Sequence, residues 1–119
     1  MVWQFNENVP IYRQVVTQLR GKIISGEYKP GEYLPTVRCL SEEAKINPNT
    51  VQRAFHELEK MGLAVCFSTS GRKVTTDMAV IQEQRKAAAK ELADYAVQAA
   101  KEIGMSAKEL ADMLCERKA

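Results

Sequence analysis

The stretch TVRCLSEEAKINPNTVQRAFHELEKMG, residues 36–62, decides the fold. Thr36 is a good N-cap, because its hydroxyl can accept a backbone N–H of the first helical turn. The helix it opens runs through Ala44, turns Val37, Leu40 and Ala44 inward and leaves Arg38, Glu42 and Glu43 in water. After Lys45-Ile46, Asn47 caps a further helix whose first position is Pro48, where the missing N–H costs nothing. Val51, Ala54, Phe55 and Leu58 share one stripe of that helix, and Gly62, which tolerates a left-handed conformation, stops it. Asn49, Gln52, Arg53 and His56 occupy the opposite face. Two helices joined by so short a turn make a helix-turn-helix.

Upstream, a tail carrying Trp3 and Phe5 leads to Asn8 and Pro10, which predict a cap and an early-turn proline. Ile11, Val15, Leu19 and Ile23 then recur at helical spacing up to Gly26. Lys29-Pro30-Gly31 is a tight turn into an extended piece, Glu32 to Leu34, and Pro35 keeps Leu34 out of the helical region. Downstream, Leu63 to Ser68 is predicted as a strand, Thr69 to Arg72 as a turn around Gly71, and Lys73 to Thr76 as the returning strand of a hairpin, the wing. From Met78 the composition shifts to Ala, Glu, Lys and Gln. Ile81, Ala88, Leu92, Ala96, Ala99 and Ile103 mark one long amphipathic helix, ended by Gly104. Ser106 with Glu109 has capping-box spacing and opens a last short helix carrying Leu110, Met113 and Leu114. The expected fold is mainly α with a small β-hairpin wing: a winged helix-turn-helix domain over residues 1–77, then a two-helix element over 78–119.

The length of 119 residues, 45% hydrophobic and 27% charged, suits roughly one domain with one modest core. The net charge is only +2: ten Lys or Arg against eight acids in residues 1–77, and seven against seven in 78–119. Composition therefore does not single out nucleic acid as the partner, and any such reading must come from placement. Cys39, Cys66 and Cys115 form an odd, widely spaced set without a CxxC pair; they fit a reducing cytosol and are expected as small buried hydrophobes. The start, MVWQFNENVP, lacks a basic region followed by an apolar one, and no run approaches the roughly 20 apolar residues of a membrane span. A cytoplasmic location is expected. His56 is the one histidine, and there is no Ser-His-Asp, HExxH, GxGxxG or P-loop spacing, so neither catalysis nor a cofactor is expected.

Several spaced stretches narrow the reading: Pro10-Ile11-Tyr12-x-Gln14, Gly26, Pro30-Gly31-x-x-Leu34-Pro35-Thr36-x-Arg38-x-Leu40, Asn47-x-x-Thr50-Val51-x-x-Ala54 and Leu58-x-x-x-Gly62-Leu63. In this order they resemble the GntR family of winged-helix regulators. The resemblance implies a DNA-binding domain whose third helix enters the major groove while the wing rests on the neighbouring minor groove. It places Arg38, Thr50 and Gly71 where DNA contacts are expected. Asn47, Asn49, Gln52 and Arg53 join them, since their donors and acceptors suit base edges and the helix N-terminus suits phosphate. Arg72 and Lys73 in the wing, with Lys45 and Arg13, are candidate phosphate grips. The bland counterpart is a solvated polar face, with Arg38 simply paired to Glu42 at i,i+4 spacing. The wing departs from the family pattern, in which a basic residue and two closely spaced glycines precede a Thr-aromatic-Val end; here Ser70-Gly71-Arg72-Lys73-Val74 stands instead.

About 40 residues follow the wing, too few for the ligand-binding domain of the family's larger members, and this part resembles the short YtrA-like branch with its helical dimerisation pair. Leu92, Ala96, Ala99 and Ile103, with Leu110 and Leu114, are the expected homodimer contacts; folding back onto the winged domain is the alternative. A two-fold dimer would set recognition helices about 34 Å apart and read an inverted-repeat operator. The functional expectation is a repressor of transcription, released by a small-molecule effector that the sequence does not name. Two other classes compete: a metal- or redox-responsive regulator using Cys39, Cys66 and His56, and a winged-helix module for protein contacts.

Overall fold

A computed structural model describes residues 3–68 and 71–117. The elements are α1 (Ile11–Ile24), α2 (Val37–Ala44), α3 (Pro48–Lys60), β1 (Ala64–Cys66), β2 (Arg72–Val74), α4 (Met78–Glu102) and α5 (Ala107–Glu116). They fall into two compact units, residues 1–84 and 85–119. The first extends past residue 77 into α4, because Ile81 belongs to its core.

In this first unit α1 and α2 both pack on α3. Val15, Leu19 and Ile23 from α1, Leu40 from α2, and Val51, Phe55 and Leu58 from α3 meet in one buried cluster, closed by Leu63, just after α3, and Val74 of the wing. Burying each large side chain is worth about 1.5–3 kcal/mol before chain entropy is counted. The helix-turn-helix forms by the expected local chemistry. Thr36 accepts the Cys39 N–H at 3.1 Å, and Asn47 Oδ1 accepts the Asn49 N–H at 2.8 Å. Lys45, in the turn between α2 and α3, takes φ +57°, and Ser41 Oγ closes the turn on the Ile46 carbonyl. Gly62 has φ +79°, and a Cβ there would also crowd Val80 Cγ1 at 3.2 Å.

The start of α1 differs from expectation. Pro10 itself is the N-cap residue, and no side chain caps the helix. Gln14 reaches back instead, its Nε2 donating to the Asn6 and Val9 carbonyls and its Oε1 accepting the Asn6 N–H. Ile11, on the first turn, stays exposed. This clamp directs the tail so that Trp3 and Phe5 stack, ring centroids 5.8 Å apart, against the core.

The wing is shorter than the sequence suggests. β1 and β2 pair antiparallel in the register Ala64 to Val74, Val65 to Lys73 and Cys66 to Arg72. Leu63 is not part of the ladder's first strand, because its N–H closes the end of α3 on the Leu58 carbonyl, although its own carbonyl accepts from Thr75. Of the expected turn, Thr69 and Ser70 lie outside the described residues. The extended piece after Gly31 finds a partner here: Leu34 N–H donates to the Arg72 carbonyl at 2.9 Å and Val74 N–H to the Glu32 carbonyl at 2.8 Å. Tyr33 thereby bridges to Lys73.

In the second unit α4 continues to Glu102, Gly104 adopts φ +74° after it, and Ser106 and Glu109 form both bonds of the capping box. Among its described residues only Ala100 is buried.

Candidate nucleic-acid interface

The helical geometry of α3 that buries Val51, Ala54, Phe55 and Leu58 turns Asn49, Arg53 and His56 to solvent. Asn49, Thr50 and Arg53 share a shallow cleft with Ile11 and Tyr12, so the start of α1 flanks the N-terminal half of α3. Arg53 does not dangle there. Its guanidinium carbon lies 3.7 Å from the centre of the Tyr12 ring, a cation–π contact that restricts a long side chain at little cost in hydration. Tyr12 in turn accepts a hydrogen bond from Arg13 Nε at 3.1 Å. That bond lowers the phenol's pKa below its ordinary value, outweighing desolvation, and the nearby Arg13 and Arg53 charges act in the same direction. Tyr12 was not among the residues that sequence reasoning singled out for the site. Its place in the Pro-Ile-Tyr stretch was legible, but its proximity to Arg53 arises only when α1 packs on α3.

A second recess along α3 is lined by Arg53, His56, Glu57, Glu59 and Lys60, where Lys60 pairs with Glu57 at 3.3 Å. The two acids temper the positive field at the C-terminal half of the helix, leaving the N-terminal half as the better anion-facing end. Asn47 sits at that end with its carbonyl oxygen committed to the cap. Arg38 projects from α2 with its side chain 89% exposed, its Nε donating to Glu42 at 3.1 Å. An exposed i,i+4 pair of this kind is weak and exchanges readily for another anion.

The wing places its three candidates differently. Gly71 is buried, and a Cβ there would come within 2.4 Å of Phe67 Cζ and 2.8 Å of Ser68 Oγ, so a larger residue fits only where those two side chains swing aside. Lys73 Nζ lies 4.6 Å from the Tyr33 ring centre and 5.5 Å from that of Phe67, two exposed rings in edge contact with each other. Arg72 departs from the expected open phosphate grip: it is 2% exposed. Its Nε meets Glu59, its Nη2 donates to Gln52 Oε1 at 3.3 Å, and its guanidinium lies 5.3 Å from the Phe55 ring centre. Gln52, expected on the open face, is thus partly covered and tied to the wing.

The cysteines correct a second expectation: Cys39, Cys66 and Cys115 are all exposed. On α2 the inward positions are 37, 40 and 44, so Cys39 faces away. Cys66 stands at the open end of β1, its Sγ donating to the Ser68 carbonyl at 3.0 Å. Among the described residues no group of three His, Cys, Asp or Glu could hold a metal ion, and no helix is long and apolar enough to cross a membrane.

Residues 11–74 match the family of bacterial regulatory proteins called the gntR family. The match spans more than half the chain and contains the whole helix-turn-helix and both wing strands. The chain belongs to the GntR family. Over 107 residues it is 30% identical to YhcF of Bacillus subtilis, an HTH-type transcriptional regulator, covering 90% of this chain and 88% of that one. It is 34% identical over 88 residues to YtrA, a transcriptional repressor of the same organism, covering 66% of this chain and 68% of the relative. In three dimensions it resembles a GntR family transcriptional regulator from Listeria monocytogenes with a TM-score of 0.85 and 27% identity, over 96% of this chain and all of that one. This GntR protein is a YtrA-like, DNA-binding regulator of transcription, not an enzyme.

Proposed function

We propose that the chain is a repressor that binds an inverted-repeat operator as a homodimer. Each copy inserts the N-terminal half of α3 into the major groove and rests its wing on the adjacent minor groove. The observation that carries the DNA reading is the cleft at the start of α3. Asn49 and Thr50 stand beside an Arg53 held over Tyr12, at a helix N-terminus whose own N–H groups favour phosphate. Asn49, Gln52 and Arg53 supply base-edge contacts, Arg38 exchanges Glu42 for phosphate or guanine, and Asn47, Gly71 and Lys73 shape or border the same surface.

Support for the homodimer comes from the second unit, where Leu92, Tyr95, Ile103, Met113 and Leu114 are all exposed. So many apolar side chains on two helices call for a partner, and a second copy presenting the same stripe satisfies both at once. Ala96, Ala99 and Leu110 complete the proposed contact. The repressor role rests on likeness to YtrA, which carries that description; a blocked promoter is the simplest outcome for a dimer with two DNA-binding units. Release by a small-molecule effector and a cytoplasmic location belong to the same proposal.

Selection of genomic fragments by the purified protein, followed by titration at several salt concentrations, tests it. Enrichment of an inverted repeat bound by two chains, with affinity falling steeply as salt rises, is the expected result. Equal binding to all fragments would discard the operator reading. A shift of promoter transcription upward on adding the protein would discard repression.

A further inference from the structure

Arg72 is the one strongly basic side chain of the wing that the fold hides. It hydrogen-bonds Glu59 near the end of α3 and Gln52 about two helical turns earlier, so a single planar guanidinium spans two separated positions of the recognition helix. Its Nη1 also donates to the carbonyls of Gly71, at 3.2 Å, and Ser68, at 3.4 Å, on the wing itself. A flat, five-donor group is suited to such multiple fixed bonds, where an ammonium would serve one or two. The Phe55 ring beneath it belongs to the core.

We infer that Arg72 is a positioning residue: it fixes the wing against α3 and sets the orientation of Gln52, so that operator affinity and base preference depend on a side chain that touches no DNA. The inference rests on the reading that α3 meets the operator. It also reassigns a basic wing residue that charge and position alone would make a phosphate contact. The two roles differ in their salt dependence. A lost phosphate contact lowers the slope of log affinity against log salt by about 0.9, whereas a lost positioning contact weakens binding and leaves the slope unchanged.

The variants Arg72→Met, which removes the charge, and Arg72→Lys, which keeps it for Glu59 but lacks the fork, decide between them. Both are expected to bind the wild-type operator about tenfold more weakly, the scale of one lost base contact. Both should keep the wild-type salt slope and relax base preference at the same operator position as Gln52→Ala. Combining Arg72→Lys with Gln52→Ala should weaken binding by less than the sum of the two single losses. A shallower slope for Arg72→Met, wild-type affinity for Arg72→Lys, or additive losses would overturn the inference. Arg72→Lys covers the case in which Arg72→Met does not fold. A DNA-free arm separates this from failure of the operator reading: amide exchange of the wing should quicken in Arg72→Lys, and unchanged exchange would overturn the inference even if the wild-type protein selects no sequence.

Discussion

The two units of this chain treat the same raw material in opposite ways. The winged unit hides nearly every large aliphatic of its helical stripes, whereas the unit over residues 85–119 displays Leu92, Tyr95, Ile103, Met113 and Leu114. Both are built from amphipathic helices with good local signals. The winged unit has a third layer, the hairpin, and a crossing helix, α3, against which α1 and α2 close. Two helices alone offer no such closure. The contrast teaches that amphipathic periodicity announces a need for burial, while the number of elements within reach decides whether the chain meets that need by itself.

The largest expected effect lies in the closed unit. Phe55→Ala should cost about 3–5 kcal/mol, because Phe55 is fully buried at the centre of the cluster; urea unfolding of the winged unit measures it, and a loss below 1 kcal/mol would show that the core does not depend on this ring. Ile103→Glu probes the open unit. Unfavourable burial of a charge in both copies should raise the dimer dissociation constant roughly a hundredfold, read by sedimentation, with the winged unit's unfolding midpoint unchanged. Should the mass stay dimeric while the winged unit melts earlier, the stripe serves the chain's own fold and the contrast collapses. Asn47→Ala sharpens the comparison at the level of caps and should cost about 1 kcal/mol of winged-unit stability. The smallest effect belongs to Arg38→Ala, which should alter stability by less than roughly 0.5 kcal/mol while weakening operator binding; unchanged affinity would remove Arg38 from the site.

What was legible in the sequence follows from how far each signal reaches. Thr36, Asn47-Pro48, Gly62 and the Ser106–Glu109 box act within a few residues of themselves, and each sits where local chemistry puts it. The buried stripe of α3 is likewise a property of one helix. Arg72 escaped, because its direction depends on Glu59 and Gln52 in another element, and a lone basic residue in a hairpin looks the same whether it points in or out. Tyr12 escaped for the same reason. The pairing of Tyr33 with Lys73 joins segments that no periodicity connects. The cysteines misled because a small apolar side chain carries no directional signal, and helix register at Cys39 overrode the general preference for burial.

The N-terminal clamp has an optical consequence. Gln14 holds the tail so that Trp3, the chain's one tryptophan, rests on Phe5 against the first unit's core. Intrinsic emission excited in the indole band therefore reports the winged unit, while far-ultraviolet ellipticity is dominated by the helices of both units, α4 longest among those described. Melting followed simultaneously in both signals gives two curves from one cuvette, and their separation along the temperature axis measures how independently the two halves of the molecule come apart.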